Sequence, residues 1–271
     1  MNELQPRLID TFLFHDELDL LEIRLQEMSP HVSLFVLVEA AKTHTGEDKP
    51  YYYEESKERF KDFNDKILHI KVEDMPDSKS LGDFGPEIYQ RSAIGDAIHY
   101  LHNQNNLTLT DLILISDVDE IPFMEDLMVE LEHGIATPTT LCMEMRLYYL
   151  NMRKQDKLWK GTVLVSVQEL IAVGSQWFRD NRFDFNTMLN GWHFTYVGGW
   201  EKVKQKISTI TDAKLVMQEQ GLTLEDVEAN FKEGIDLFSR EEVPTYRVHE
   251  LELPKYVRDN PELYPELLNA E

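Results

Sequence analysis

A single cysteine, Cys142, excludes an intramolecular disulfide and any thiolate metal cluster. It reads instead as a small buried side chain in a strand. Basic residues are also scarce. Against 50 Asp and Glu stand 27 Lys and Arg, a formal charge of −23, which opposes nucleic acid and anionic membrane surfaces as partners because both need a positive footprint. No apolar run approaches the ~20 residues that cross a bilayer, so no transmembrane segment is expected. Met1 to Ile9, with Glu3, Pro6 and Arg7, lacks the apolar core of a signal peptide, and the expected location is cytoplasmic. There is no P-loop, no Gly-x-Gly-x-x-Gly and no His-Glu-x-x-His. An EF-hand counted from Asp117 fails at Ile121 and Pro122, where an oxygen ligand and a glycine belong. Repeats and low-complexity tracts are absent, and nothing fixes the oligomeric state.

What is present reads as one globular domain over 1–271, with 42% hydrophobic and 10% aromatic residues. Short apolar runs at Ile9 to Phe14, Ser33 to Val38, Ile67 to Val72 and Leu112 to Ile115 read as buried strands. Helical spacing occupies Leu18 to Met28 and Glu87 to His102. This alternation predicts an α/β fold with a mixed, mostly parallel sheet and crossover helices. Asp74 to Pro86, with two Pro and two Gly, reads as a mobile loop. A helix is expected from Pro122 to about His133, strands over Thr139 to Leu150 and Lys160 to Val167, and a polar hairpin connection at Asn151 to Lys157. Asn190 to Trp200 reads as an aromatic strand, followed by amphipathic helices.

The stretch Leu112 to Pro122 carries the chemistry. After its apolar run come Asp117, Asp119 and Glu120, at the strand end where open α/β sheets bind ligands. Two Asp residues one spacer apart offer hard oxygens to a divalent cation, which substrate phosphates typically complete. The same acids would equally complement a helix N-terminus with no metal. A metal site needs a further ligand, and His193 is the natural one, in a run where Trp192, Phe194, Tyr196 and Trp200 could pack against a sugar ring. His193 and these aromatics would also serve simply as core. Mg²⁺ or Mn²⁺ on Asp119, with Asp117 bound directly or through water, would neutralise a leaving nucleoside diphosphate. Glu39, at the second strand's end, could meet a ribose hydroxyl or base edge, and Arg91 the uracil or phosphates, although either would equally serve as an ordinary surface charge.

Further residues resemble a known family. The runs Ile9-Asp10-Thr11-Phe12-Leu13-Phe14, Glu17 to Leu25, Phe35-Val36-Leu37-Val38-Glu39-Ala40, Thr45-Gly46 and Lys49-Pro50 are similar to the N-terminal half of glycosyltransferase family 17. Asp117-Val118-Asp119-Glu120-Ile121-Pro122 and Gly191-Trp192-His193-Phe194 match its two most specific motifs in order, and Leu253-Pro254-Lys255-Tyr256-Val257 resembles its closing segment. The resemblance implies a GT-A-type (Rossmann-like) fold with a donor-binding half, about 1–122, and an acceptor-binding half, about 123–271. It implies inverting transfer of GlcNAc from UDP-GlcNAc to a glycan or glycoprotein acceptor, with Mn²⁺ or Mg²⁺. Asp117 and Asp119 would form the metal and diphosphate site, His193 the C-terminal metal ligand, and Glu39 and Arg91 the donor contacts. Matching fades between Phe178 and Asn190 and after Glu219, so the acceptor does not carry over.

Inversion needs a base for the acceptor hydroxyl. Glu120, Glu144, Asp184 and Asp236 are candidates, with Glu120 taken from the matched motif, and Trp192 is placed for acceptor binding. Two other classes fit part of the pattern. A metal-dependent phosphohydrolase would use Asp-x-Asp as nucleophile, although on its first strand. A non-catalytic carbohydrate-binding protein would use only the aromatics.

Overall fold

In the computed structural model, which describes residues 6–76, 82, 84–240 and 245–269, each buried apolar run becomes a strand. Strand β1 (Leu8–Phe14) is buried at every position. Helix α1 (Leu18–Met28) leads to β2 (Leu34–Ala40), a short helix α2 (Tyr52–Glu55), and β3 (Ile67–Val72). Helix α3 (Gly85–Asn103) precedes β4 (Leu112–Asp117). These four strands are parallel, in the order β3-β2-β1-β4. The chain winds one way from β1 to β2 and returns to the other side of β1 as β4. That reversal opens a crevice at the C-terminal ends of β1 and β4, where Leu13 lies beside Asp117.

Period-two alternation feeds both faces of the sheet. Phe12, Phe35, Leu37 and Leu114 pack with α1, whereas Ile9, Val36, Val38, Ile113 and Ile115 pack with α3. The expected mobile loop lies partly outside the described residues, at 77–81 and 83. Its last two residues, Gly85 and Pro86, already belong to α3, with Pro86 in the first turn where a missing N–H costs nothing.

The second half departs from expectation in three places. Pro122 does not open a helix: Glu120 and Ile121 form a two-residue strand, β5, and α4 begins at Met124 (Met124–Glu132). β5 pairs with His193 and Trp192 on β8 (Asn186–Thr195), a partner too distant for local pattern to reveal. After β6 (Thr139–Leu147), the expected hairpin connection is already strand, because β7 runs from Met152 to Ser166. Its polar start pairs with β9 (Thr245–Arg247), again from far along the chain. Finally, the aromatic strand stops at Thr195. The chain turns at Gly198 and Gly199, and Trp200 lies in the first turn of a helix.

Between β7 and β8 come α5 (Val167–Val173), opened by a Ser166–Glu169 capping box, and α6 (Ser175–Asp180). After β8, helices α7 (Gly199–Thr209), α8 (Thr211–Gln220) and α9 (Leu224–Glu233) contribute Val203, Ile207, Ala213 and Val227 to a separate cluster with Leu147, Tyr148 and Phe238. Helix α10 (Lys255–Asp259) closes against α1. The sheet continues from the parallel half as β4-β7-β6-β8-β5. β7 is antiparallel to its neighbours, and β6 and β8 are parallel. Among the described residues no helix is long and apolar enough to cross a membrane.

Candidate active site

The crevice is a cleft of about 600 Å³, lined by the end of β1, Asp117 to Asp119, and side chains from α3, α6, β8 and α7. Its floor is a buried ionic network. Asp117 accepts from Arg91 (2.7 Å, Oδ1) and Arg179 (2.6 Å, Oδ2). Burial alone would raise the Asp117 carboxyl, but Arg179 and Arg91 outweigh it and hold the group well below the ordinary carboxylate range. Arg179, on α6, also grips Glu120 through both nitrogens of its fork, at 2.7 and 3.0 Å.

Behind the cleft a second pair fixes the loop itself. Asp10 would be an unpaired acid in a buried strand, so it demands a partner. Arg24 on α1 meets it bidentately at 2.6 and 2.7 Å, and both side chains are fully buried. The remaining guanidinium nitrogen of Arg24 donates to the carbonyls of Glu120 (2.5 Å) and Asp117 (3.2 Å). Asp119 therefore projects from a loop whose main chain is clamped to α1.

Asp119 faces His193 across the cleft, with Nε2 3.7 Å from Oδ1. Its other oxygen accepts from Lys206 of α7 at 2.8 Å. Burial pushes the His193 imidazole below its ordinary value in spite of nearby Asp119 and Glu120, which favours the neutral ring that binds metals. The ring stacks on Trp159 with centroids 4.7 Å apart, and its Nδ1 is buried without a hydrogen-bond partner among the described residues. A hard carboxylate oxygen and an imidazole nitrogen suit Mn²⁺ or Mg²⁺ that a diphosphate completes. Asp119 and His193 fit that role. Asp117 lines the same cleft, but each of its oxygens already accepts from an arginine, and no three His, Cys, Asp or Glu converge as a cage among the described residues.

Four other residues sit differently from expectation. Glu120 is fully buried and does not line the cleft. Its oxygens accept from Trp159, Thr162, Arg179 and the Asp117 N–H, so it is a structural anion with no lone pair turned to a substrate, and the catalytic-base assignment fails. Glu39 is likewise buried and enclosed by Lys49, His69 and the Tyr52 and Tyr53 N–H groups. It orders the loop after β2 and presents nothing to a ribose. Arg91 lines the cleft, but Asp117 and Glu87 occupy its outer nitrogens. Trp192 packs on Phe123 and Phe194 and donates to the Glu252 carbonyl, so it is core and not an acceptor platform. Trp159, in contrast, lines the cleft, as do Phe14, Phe84 and Tyr196.

Of the other acids considered as base, Glu144 is paired with Arg146 and Arg153 away from the cleft, and Asp184 does not line it. Asp236 lines the cleft but is held by Lys154 and Arg240. Asp180 is an exposed cleft carboxylate whose partner is the Gln176 amide, 2.8 Å away. Arg24, Trp159, Arg179, Asp180 and Lys206 thus escaped the sequence reading. Only Arg24 left a signal, through the lone acid at Asp10 in an apolar strand.

The sequence pattern of glycosyltransferase family 17 matches residues 1–269. Beta-1,4-mannosyl-glycoprotein 4-beta-N-acetylglucosaminyltransferases of Rattus norvegicus and Homo sapiens are each 28% identical over 150 residues, 54% of this chain. The matched stretch is only 27% of the rat protein's length and 28% of the human one's. Among solved structures, a 4-diphosphocytidyl-2C-methyl-D-erythritol synthase superposes at a TM-score of 0.45 and 12% identity, covering 70% of this chain and 90% of that one. HddC from Yersinia pseudotuberculosis gives 0.37 at 10% identity, covering 75% and 98%. With a family pattern running through both the Asp117–Asp119 loop and the strand that bears His193, the chain belongs to glycosyltransferase family 17.

Proposed function

We propose that the chain is an inverting glycosyltransferase with a GT-A-type site, moving GlcNAc from UDP-GlcNAc to a hydroxyl of a glycan or glycoprotein acceptor. The observation that carries this reading is the facing pair Asp119 and His193 at the sheet's reversal point, beside Lys206 and above the Asp117–Arg91–Arg179 network. The donor and the glycoprotein acceptor are taken from the names of the relatives, whose N-acetylglucosaminyl transfer the cleft's chemistry suits. A divalent cation held by Asp119 and His193 would neutralise the charge that develops on the leaving diphosphate.

Asp117 acts indirectly, keeping two guanidinium groups fixed under the site so that the loop does not reorganise during reaction. Trp159 offers a flat face beside His193. Asp180 serves as the base: it enters from α6, whereas Lys206 enters from α7, and its carboxylate carries no ion pair among the described residues. It takes the proton of the acceptor hydroxyl as that oxygen attacks the anomeric carbon and the UDP oxygen leaves.

The test is UDP release from UDP-GlcNAc with Mn²⁺, preceded by a thermal-shift screen of UDP-, GDP- and CMP-sugars, since a donor that binds the native state raises its stability. Asp119→Ala is expected to abolish turnover while remaining folded. Asp180→Asn is expected to lower kcat by about 10²- to 10⁴-fold with donor affinity retained. Wild-type turnover in Asp119→Ala would sink the reading. Phosphate release from simple esters would favour a phosphohydrolase instead.

A further inference from the structure

Of the cations that line the cleft, Lys206 is the one seated on Asp119. Its ammonium lies 2.8 Å from Asp119 Oδ2, 3.8 Å from Glu17 Oε1 and 5.8 Å from the Tyr196 ring centre. The other cleft cations near the acidic loop are locked by forked bonds: Arg179 by Asp117 and Glu120, Arg91 by Asp117 and Glu87. Turning Arg179 away would strand the buried Glu120, and turning Arg91 away would break its bonds to Asp117 and Glu87 together. Lys206 differs in kind. It is a point charge on a flexible four-carbon stem, joined to Asp119 by one hydrogen bond. Val203 and Ile207, on the same helix, anchor α7 in the helical cluster, so the side chain can redirect without moving the helix.

We propose that Lys206 is a ligand of the donor's diphosphate, and that its seat on Asp119 is the resting position of the empty site. This deepens the glycosyltransferase reading and rests on it. A divalent cation taking Asp119 would stand within a few ångströms of the ammonium, and like charges at that range repel strongly where water is scarce. Lys206 then leaves Asp119 for the nearest new anion, a diphosphate oxygen. Glu17 keeps the ammonium near the site during the exchange, and until then Lys206 prevents Asp119 from standing as an uncompensated buried charge. Two kinds of positive charge would thus meet the leaving group, one recruited and one built in.

Calorimetric titration separates these roles without measuring turnover. Three proteins are compared, wild type, Lys206→Met and Lys206→Arg, with thermal unfolding to establish that each is folded. Each is titrated with Mn²⁺ alone, then with UDP and with inorganic pyrophosphate in saturating Mn²⁺. Lys206→Met is expected to bind Mn²⁺ alone more tightly, because the competing ammonium is gone. It should bind UDP and pyrophosphate about 10- to 100-fold more weakly, the worth of one charge-assisted contact. Lys206→Arg is expected to stay within about threefold of wild type for UDP, because it keeps the charge. If the methionine variant is not folded, Lys206→Gln takes its place with the same expectations. Wild-type affinity for UDP in the uncharged variant overturns the proposal, and so does weaker binding of Mn²⁺ alone. Failure of wild type itself to take up UDP with Mn²⁺ overturns the parent reading, a result distinguishable from either.

Discussion

Replacing Arg179 by Met tests whether the site rests on its buried ionic floor. The guanidinium makes three short bonds, two to Glu120 and one to Asp117. Removing it leaves Glu120, fully buried, with only neutral donors from Trp159, Thr162 and a main-chain N–H. Asp117 keeps Arg91. Breaking a buried pair from one side costs about 3–5 kcal/mol, and the surviving donors place this case toward ~3 kcal/mol. For a chain of this size each kcal/mol lowers Tm by roughly 2–4 °C, so a fall of about 6–12 °C is expected. Urea unfolding followed by tryptophan fluorescence measures the loss. Neutralising the partner as well, in Arg179→Met/Glu120→Gln, should recover about 1–3 kcal/mol relative to the sum of the single variants. A loss below ~1 kcal/mol in Arg179→Met, or an additive double variant, would refute the view that this network is desolvated and mutually dependent.

Gly191→Ala should cost about 2–4 kcal/mol in the same assay. The residue has φ +89°, and a Cβ there would lie 2.5 Å from the Ile121 carbonyl oxygen, forcing β5 away from β8. Trp192→Phe should lose about 1 kcal/mol with its hydrogen bond to Glu252 and leave the acceptor KM unchanged; a raised KM would return Trp192 to the acceptor site. Burial would raise the Asp236 carboxyl, but hydrogen bonds from Arg240 and Lys154 bring it down to about 2. Because the folded value is the lower one, its contribution to stability is present above the ordinary value of 3.8 and is lost as pH falls toward 2. Unfolding measured from pH 5 to pH 2 should therefore be less steep in pH for Asp236→Asn than for wild type.

The parallel half of the fold was legible because strands buried on both faces are written as unbroken apolar runs. The start of β7 was not, since Gln155 and Asp156 are exposed and its partner β9 lies far along the chain. In the site, the approach of His193 to Asp119 was expected from its glycine-flanked aromatic run together with the family resemblance. Arg179 and Lys206 could not, because they meet Asp117 and Asp119 across 62 and 87 positions of sequence, from helices whose own patterns explain a surface charge equally well. Glu120 and Glu39 misled for a related reason: an acid at a strand end looks alike whether it faces a ligand or an internal donor, and only the packed neighbours decide.

Arg24 holds the acidic loop through carbonyl oxygens and touches none of the side chains that the loop presents to the cleft. The path of the loop is thereby uncoupled from its chemistry, much as a socket is indifferent to the tool it holds. Substitutions at 117 and 119 would alter what is displayed while the frame persists. Loss of Arg24 would unseat the whole display with every cleft side chain intact.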